Sequence, residues 1–530
     1  MFGFILTLFL WFILVIIKLK KSLHMLQQNL YNKGNRYLKW IINNFKKVFL
    51  SIDIILVIFL LFLQISKNYV INTILICLLL LVSIIKYIND NLEDKKKSKK
   101  PLVYTNRIKR LIVTICILLI IPVILMVKNF NYEISSNYYT RLIILVYLIY
   151  FVSLLATIIN IPIEKYVYYS FKNKAMKKLK NLNSLKVIGI TGSYGKTSSK
   201  NILSDILNIK YNALPSPKNF NTPYGLIMTI NNTLDKFDDI FIAEMGAYKK
   251  GEIKELCDLV NPKYGILTTI GTAHLESFGS EENIIKTKFE LIESLPSDGV
   301  AVLNMDDDKQ VSYNIKSKCK KIWVGINNDK ADFVATNIKM NNRGMSFEVV
   351  INGEKVKFNT KLLGVPNIYN ILAGIALGNY FGISNEQLKS AVLNVKNTEH
   401  RLELKNAGDI TYIDDSYNSN PVGSKMALDV LNLMPGKKII MTPGMIELGS
   451  KQYELNKELG EYIASVCDEV ILVGEKQTIP IQDGLKAKNY NEKKIHITND
   501  VKEGFKIVER LKTKNTYVLI ENDLPDLFNE

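Results

Sequence analysis

The sequence predicts an α/β protein whose N-terminal part crosses a membrane. Five long apolar runs lie within the first 170 residues. From Lys186 onward, short apolar strand patterns alternate with helical patterns, which is typical of parallel sheets covered by helices. A glycine-rich turn follows the first of these strands. We therefore expect transmembrane helices at 1–170, a central domain with a phosphate-binding loop at 186–398, and a C-terminal Rossmann-like α/β domain at 399–530.

The apolar runs are each near the length that a helix needs to cross the hydrocarbon core of a bilayer. The first run has no basic residues before it and no small-residue cleavage site, so it predicts a retained span rather than a signal peptide. Stretches rich in Lys and Arg follow the first, third and fifth runs, and such loops stay cytoplasmic. We predict a multi-pass protein of the cell membrane with its N-terminus outside and its catalytic domains in the cytoplasm. The runs cover about residues 2–17, 48–66, 69–88, 111–127 and 142–162.

The net charge of +18 belongs to the membrane part of the chain. Residues 1–187 contain 27 Lys and Arg against 6 Asp and Glu, whereas the remaining residues contain 41 against 44. Basic loops between apolar segments set orientation and attract anionic lipid. A nearly neutral second part argues against a nucleic-acid partner. The charge distribution therefore predicts contact with membrane lipid and no nucleic-acid function.

A phosphate-binding loop is predicted in "ITGSYGKTSSK", residues 190–200. Gly192 and Gly195 let the backbone fold around phosphates, and the N–H groups of the following helix point toward them. Lys196 would neutralise phosphate charge, and the Thr197 hydroxyl would hold Mg²⁺. The spacing is shorter than in the standard motif. We expect these residues and Ser198 to bind a nucleotide.

Two further side chains follow neighbouring strands. Glu244 ends the buried strand in "FIAEMGA", and His274 comes after the next strand in "TTIGTAHLESFGS". Ligands of open α/β sheets bind outside the carboxyl ends of the strands. Thr197, Glu244 and His274 would then meet at one edge, where a carboxylate and a hydroxyl suit Mg²⁺. Structural roles for Glu244 and His274 are the alternative.

Seven motifs follow one another in the second part of the chain: "TGSYGKTS", "PKNFNTPYG", "AEMGA", "AHLESFGS", "NMDD", "HRLE" and "DDSYNSNP". In this order they resemble the Mur ligase family, and within it most closely the ligases that add D-alanyl-D-alanine to a UDP-N-acetylmuramoyl-tripeptide. The resemblance covers about residues 186–520.

This resemblance implies an ATP- and Mg²⁺-dependent ligase that forms an amide bond through an acyl phosphate. Its substrates would be a muropeptide or related carboxylate and an amine, either an amino acid or a dipeptide. Lys196, Glu244, His274 and Lys288 would be catalytic, and Thr197, Glu244, His274 and Lys288 would serve the metal. Family members carry a carbamylated lysine, which the resemblance places at Lys288, with Lys286 as the rival position. Asn304, Asn367, Asn370, Arg401 and Asp415 would contact the nucleotide.

The resemblance fails in two places. The family's small N-terminal substrate-binding domain is replaced by the apolar runs, and its late Lys-Gly-Ser motif is replaced by a segment with Glu521 and Asp523. We therefore expect a membrane-anchored ligase of peptidoglycan synthesis, with a wall-synthesis complex as a candidate partner. The alternatives are the same chemistry on a lipid-linked or other polymer acceptor, and a membrane scaffold or sensor with a nucleotide-binding domain.

Overall fold

The computed structural model describes residues 2–44, 68–97, 101–128, 135–271, 273–417, 420–446 and 448–522. The chain divides into two compact units, Met1–Tyr169 and Ser170–Glu530.

The N-terminal unit is helical. Three of its described helices are long and apolar enough to cross a membrane, and a fourth candidate is a pair of helices bent by 61° at Leu148. The predicted first run lies in a longer helix, the run at 142–162 falls largely on the bent pair, and the run at 48–66 lies outside the described residues. The helices are α1 (Phe2–Gln28), α2 (Arg36–Asn43), α3 (Tyr69–Lys97), α4 (Asn106–Lys128), α5 (Ser135–Tyr147), α6 (Ile149–Ile159) and the beginning of α7 (Ile161–Asn181), whose residues from Ser170 onward belong to the second unit, with a 3₁₀ turn at Leu30–Asn35.

The first part of helix α1, up to Ile17, is apolar on both its packed and its outer faces. Leu14 is 2% exposed in the core of the unit, and the Trp11 indole donates to the carbonyl of Leu142 across 2.7 Å. Phe9 and Phe12 are more than half exposed on the outside. A helix that is apolar all round suits the interior of a membrane. The packing therefore agrees with a bundle that faces lipid.

The second unit begins with a nine-stranded sheet in the order β2-β3-β1-β4-β5-β6-β7-β8-β9. Strands β1 to β6 are parallel, and β7 to β9 form the antiparallel patch that the alternation at 332–363 predicts. The strands are β1 (Lys186–Thr191), β2 (Ala213–Pro215), β3 (Ile240–Glu244), β4 (Tyr264–Leu267), β5 (Val300–Asn304), β6 (Lys320–Gly325), β7 (Phe333–Asn341), β8 (Gly344–Ile351) and β9 (Glu354–Thr360).

Helices cover this sheet and connect its strands. The helix after β1 packs its apolar side, including Ile202 and Leu203, into the core beneath the sheet. The helices are α8 (Lys196–Leu207), α9 (Pro223–Asn232), α10 (Glu252–Val260), α11 (Leu275–Phe278), α12 (Glu281–Glu293), α13 (Asp308–Val311), α14 (Pro366–Tyr380) and α15 (Asn385–Asn394).

A six-stranded sheet follows, in the order β10-β11-β15-β12-β13-β14, in which only the edge strand β10 is antiparallel. Central β15 therefore brings the end of the chain beside β11. The elements are β10 (Glu403–Ala407), β11 (Ile410–Asp415), α16 (Pro421–Asn432), β12 (Lys437–Thr442), α17 (Gln452–Val466), β13 (Glu469–Val473), α18 (Ile479–Ala487), β14 (Ile495–Thr498), α19 (Val501–Leu511) and β15 (Thr516–Glu521), with 3₁₀ turns at Gly449–Lys451 and Glu492–Lys494.

Candidate active site

The loop between β1 and α8, which the sequence predicts to bind phosphate, turns at two glycines with positive φ. Gly192 has φ +153°, and an added Cβ would lie 1.9 Å from Thr268 Oγ1. Gly195 has φ +78° at the N-terminus of α8, a conformation that favours glycine. Thr268, which follows β4, donates its hydroxyl to the carbonyl of Tyr194 across 2.6 Å. The loop is therefore shaped by its two glycines and held by Thr268.

Lys196 is folded over this loop. Its Nζ donates to the carbonyls of Gly192 and Ser193 at 2.8 and 3.0 Å. Burial lowers the pKa of Lys196, the Glu244 carboxylate raises it, and nearby Arg401 lowers it further, with a net decrease. Ser198 lies in the same helical turn and is partly buried. The lysine ammonium is thus placed where it can reach a phosphate bound in the loop.

Glu244 lies at the carboxyl end of β3 and is 1% exposed. Thr197 Oγ1 and Asn221 Nδ2 each donate to Glu244 Oε1 across 3.1 Å. Lys200 Nζ lies 3.2 Å from Oε2 in an ion pair whose two side chains are each 1% exposed. Thr197 and Glu244, two of the predicted metal residues, therefore meet at one sheet edge.

The Thr197 hydroxyl and the Glu244 carboxylate fit a magnesium ion in their donor chemistry. Both offer oxygen, the atom that Mg²⁺ prefers. Glu244 Oε2 is buried and, among the described residues, has the Lys200 ion pair but no hydrogen-bond donor with good geometry. A buried carboxylate that is not saturated with hydrogen-bond donors suits an added cation. The arrangement is thus compatible with a divalent ion that accompanies the nucleotide.

His274 is held in a backbone conformation that is uncommon for histidine. Its φ of +59° lies in the left-handed region, and it precedes α11. Its ring lies 4.4 Å from the ring of Tyr248, between centroids. Whether His274 serves the metal stays a prediction.

The two candidate lysines of α12 have opposite environments. Lys286 is half exposed and pairs with Glu282 across 2.6 Å on the surface, and the hydrogen bond from that pair raises its pKa. Lys288 is 2% exposed, with Nζ 5.8 Å from the centroid of the Phe278 ring. Burial, aided by the charge of Lys196, lowers the pKa of Lys288 to about 7. An amine that is partly uncharged near neutral pH is the form that adds CO₂, so the environment favours Lys288 over Lys286.

The asparagines predicted to contact the nucleotide lie near the same loop or at neighbouring strand ends. Asn370 is 8% exposed on α14, and a Cβ added to Gly195 would lie 3.6 Å from its Oδ1. Asn367 donates to the carbonyl of Leu363 across 2.8 Å and accepts from Asn370 at 3.4 Å. Asn304 ends β5 and accepts from the amide of Asp306 at 2.9 Å. Asn370 has the most direct access to the loop.

Arg401 comes from the segment that leads into the second sheet. Its neighbours His400 and Leu402 have φ of +58° and +49°, the left-handed region that non-glycine residues rarely adopt. Burial lowers the pKa of Arg401, while Asp415, Glu244 and Glu521 raise it, with a net decrease. The Arg401 guanidinium therefore lies within electrostatic reach of acids from both sheets.

Asp415 ends β11 and is 1% exposed, and its Oδ1 accepts from the amide of Leu402 across 3.1 Å. Glu521 pairs with it in register on β15 and is also 1% exposed. Ser424 Oγ donates to Glu521 Oε1 across 2.5 Å. Burial and the Asp415 carboxylate raise the pKa of Glu521 well above its usual range. The replacement of the Lys-Gly-Ser motif thus places a second acid beside Asp415, while Asp523 lies outside the described residues.

Several contacts of the site involve residues that sequence analysis does not single out. These are Lys200 and Asn221 at Glu244, Thr268 at the loop, and Gln310, whose amide donates to the carbonyl of Thr268 across 2.5 Å. Lys200 lies within the quoted loop segment, three residues after Thr197, and that spacing is the signal that could have found it.

Comparison with known proteins agrees with this arrangement. Residues 190–378 match the Mur ligase middle domain, and residues 400–521 match the Mur ligase, glutamate ligase domain. A UDP-N-acetylmuramoyl-tripeptide–D-alanyl-D-alanine ligase of Bacillus subtilis is 32% identical over 319 residues, which cover 58% of this chain and 68% of that relative. The Escherichia coli ligase of the same name is 32% identical over 294 residues, covering 55% of this chain and 65% of that relative.

Solved structures show the same fold. The MurF ligase of Thermotoga maritima in complex with ADP superimposes with a TM-score of 0.60 and 26% identity, over 67% of this chain and 80% of that one. Together with the extent of the match to the Bacillus subtilis ligase, this similarity leads to one conclusion. The chain belongs to the Mur ligase family, whose members are ATP- and Mg²⁺-dependent enzymes that form amide bonds.

Proposed function

We propose that this protein is a membrane-anchored ligase that uses ATP to join D-alanyl-D-alanine to a muramoyl-tripeptide. The names of the relatives support the choice of substrates. The observation that carries the proposal is the set of contacts around Glu244. That carboxylate accepts from Thr197 and lies within electrostatic reach of Lys196 and Arg401, which supports one site formed by the phosphate loop, the metal residues and the arginine that precedes the second sheet.

The reaction would proceed in two steps. The terminal oxygen of the tripeptide carboxylate attacks the γ-phosphorus of ATP, and ADP leaves, which gives an acyl phosphate. The dipeptide amine then attacks the acyl carbon, inorganic phosphate leaves, and the amine loses one proton. When bound, Mg²⁺ neutralises charge on the transferred phosphoryl group.

The side chains of this chain would orient the reactants and neutralise their charge. Lys196, at the mouth of the loop, would contact the β- and γ-phosphates, and the Gly192 and Gly195 backbone would enclose them. Arg401 would contact the nucleotide phosphates with its planar fork of donors. Asn370 would border the loop from α14. Fixed charges of this kind stabilise the negative charge that develops in the transition state, and their effect is larger in a site that excludes water.

Lys288 would supply an anion after reaction with CO₂. Its uncharged amine adds to carbon dioxide, a proton is released, and a carbamate forms. The lysine that lowers its pKa, Lys196, would then pair favourably with the product, because a carbamate and an ammonium attract one another. Burial at 2% exposure protects this reactive amine from bulk solvent.

A lipid-linked muropeptide is the second candidate acceptor, and the N-terminal unit favours it. That unit has three described helices that could cross a membrane. Anchoring confines the ligase to the membrane, which raises the local concentration of a lipid-carried substrate without any new contact. Plain tethering to a wall-synthesis complex is the competing explanation.

Phosphate release and product mass test these proposals together. Purified full-length protein in nanodiscs would be assayed with ATP and D-alanyl-D-alanine on the UDP-linked and on the lipid-linked tripeptide. We expect one amide product per ADP with at least one of the two acceptors. If the membrane unit serves to bring the ligase to a lipid-carried substrate, the lipid-linked tripeptide should be used more efficiently than the UDP-linked one. Equal use of both acceptors would make the membrane unit an anchor only. Absence of amide product with both would refute the ligase proposal for these substrates.

A further inference from the structure

Lys200 is a buried cation of α8 whose contacts are not explained by nucleotide binding alone. Its side chain is 1% exposed, and Nζ lies 3.2 Å from Glu244 Oε2. The same ammonium donates to the backbone carbonyl of Lys218. A buried lysine is stable only when such partners replace water. Lys200 therefore joins three parts of the fold: helix α8, strand β3 and the segment 216–221 that follows β2.

Lys200 and Thr197 hold opposite oxygens of one carboxylate. Thr197 donates to Oε1 across 3.1 Å, whereas Lys200 lies against Oε2. Residues three apart on a helix share one face, so both side chains reach Glu244 from α8. Because each oxygen has its own partner, the carboxylate cannot rotate without breaking one of these contacts.

The segment that Lys200 anchors also contributes to the same carboxylate. Lys218 has φ +49°, in the left-handed region, and its carbonyl accepts from Lys200. Three residues later, Asn221 donates its side-chain amide to Glu244 Oε1 across 3.1 Å. The backbone carbonyl of Asn221 accepts from the amide of Gly246 at 2.8 Å, just beyond β3. Lys200 thus helps to place Asn221 as well as Glu244.

We propose that Lys200 is a positioning residue for the metal: it fixes Glu244 through Oε2 and the 216–221 segment through Lys218, so that Glu244 Oε1 and the Thr197 hydroxyl stand ready for the Mg²⁺ of a bound nucleotide. This role rests on the proposed function, because it assumes a metal-nucleotide complex at the loop. Lys200 itself contacts neither metal nor nucleotide. Its removal would disturb the metal-dependent part of nucleotide binding and spare the contacts that the loop makes with phosphate.

Calorimetric titration with ADP, with Mg²⁺ and with EDTA, separates these two parts. Full-length wild type in detergent would be compared with Lys200→Met and Lys200→Arg. The control is Lys254→Met, which removes a surface ion pair with Asp258 on α10. Circular dichroism and melting would establish that each variant is folded. Lys200→Gln, whose amide can still donate to the Lys218 carbonyl, replaces the methionine variant if that one melts below the assay temperature.

We expect Mg²⁺ to increase the affinity of the wild type for ADP. Lys200→Met should reduce this Mg²⁺-dependent gain in affinity by about tenfold or more, while its affinity for ADP without Mg²⁺ changes by less than about threefold. Lys200→Arg should recover most of the gain, and Lys254→Met should match the wild type. An unchanged Mg²⁺ gain in Lys200→Met, or an equal loss with and without Mg²⁺, would overturn the positioning role. Failure of the wild type to bind ADP at all would instead refute the proposed function, on which this role depends.

Discussion

Lys288→Met tests whether the buried lysine of α12 is an uncharged amine. Methionine keeps an unbranched side chain and removes the charge. Lys288 is 2% exposed, and burial together with Lys196 lowers its pKa from 10.5 to about 7. The folded protein therefore resists protonation of this amine, whereas the unfolded chain does not.

The size of the effect follows from the shift of the pKa. Below pH 7 both states carry the proton, and the folded state bears the full cost of the buried charge. A shift from 10.5 to about 7 corresponds to about 5 kcal/mol at about 1.4 kcal/mol per unit. Between pH 7 and 10.5 the folded state releases its proton and the cost declines, and above 10.5 it is absent.

Thermal melting of the full-length protein in detergent, in CO₂-free buffers, measures this dependence. We expect Lys288→Met to melt above the wild type at pH 6 to 7 and the difference to shrink toward pH 10. Added bicarbonate at pH 8 should reduce the difference in melting temperature between Lys288→Met and the wild type, because carbamate formation stabilises the wild type. The control is Lys286→Met on the exposed side of the same helix. A difference that stays constant with pH, or that follows the control, would refute an uncharged Lys288.

Three other predictions concern the loop, the second sheet and the membrane unit. Lys196→Ala should abolish ATP turnover and leave the circular dichroism spectrum unchanged, because the lysine lies at the loop carbonyls; phosphate release near the wild-type rate would contradict the loop assignment. Glu521→Gln should raise the melting temperature at pH 8 and have little effect at pH 5, because the raised pKa of Glu521 destabilises the folded state only at a pH where the unfolded chain ionises this group, and Ser424 can still donate to the glutamine amide oxygen. A rise in melting temperature that is equal at both pH values would contradict this. Single cysteines placed at the N-terminus and in residues 128–141, which separate the fourth and fifth predicted runs, should react with an impermeant reagent from outside the cell. Reaction only from the cytoplasmic side would refute the predicted topology.

The fold could be predicted from the sequence where a local pattern determines it. Apolar strands that alternate with helices predict the parallel part of the first sheet, and the alternation of apolar and polar residues at 332–363 predicts its antiparallel patch. The glycine-rich turn likewise predicts the loop. The bend at Leu148 could not be predicted, because the apolar run at 142–162 has the length and composition of one straight span.

Side-chain environments that depend on packing between distant elements were not predictable. Lys286 and Lys288 are two residues apart, and only the packing of α12 against the site shows that Lys288 is the buried one. The spacing of Lys200 from Thr197 indicates a shared helix face, but the sequence does not show that Lys200 pairs with Glu244, which is 44 residues away. Burial of Glu521 beside Asp415 similarly depends on the order of strands in the second sheet.

The transfer of oxygen from substrate to phosphate tests the central claim most directly. The measurement uses a muramoyl-tripeptide whose reacting carboxylate carries ¹⁸O at both oxygens, with ATP, Mg²⁺, D-alanyl-D-alanine and the full-length protein in nanodiscs. Attack of that carboxylate on ATP predicts that one ¹⁸O atom appears in the inorganic phosphate for each amide formed, as read by mass spectrometry. Amide formation accompanied by unlabelled phosphate would contradict the acyl-phosphate reaction proposed for this site.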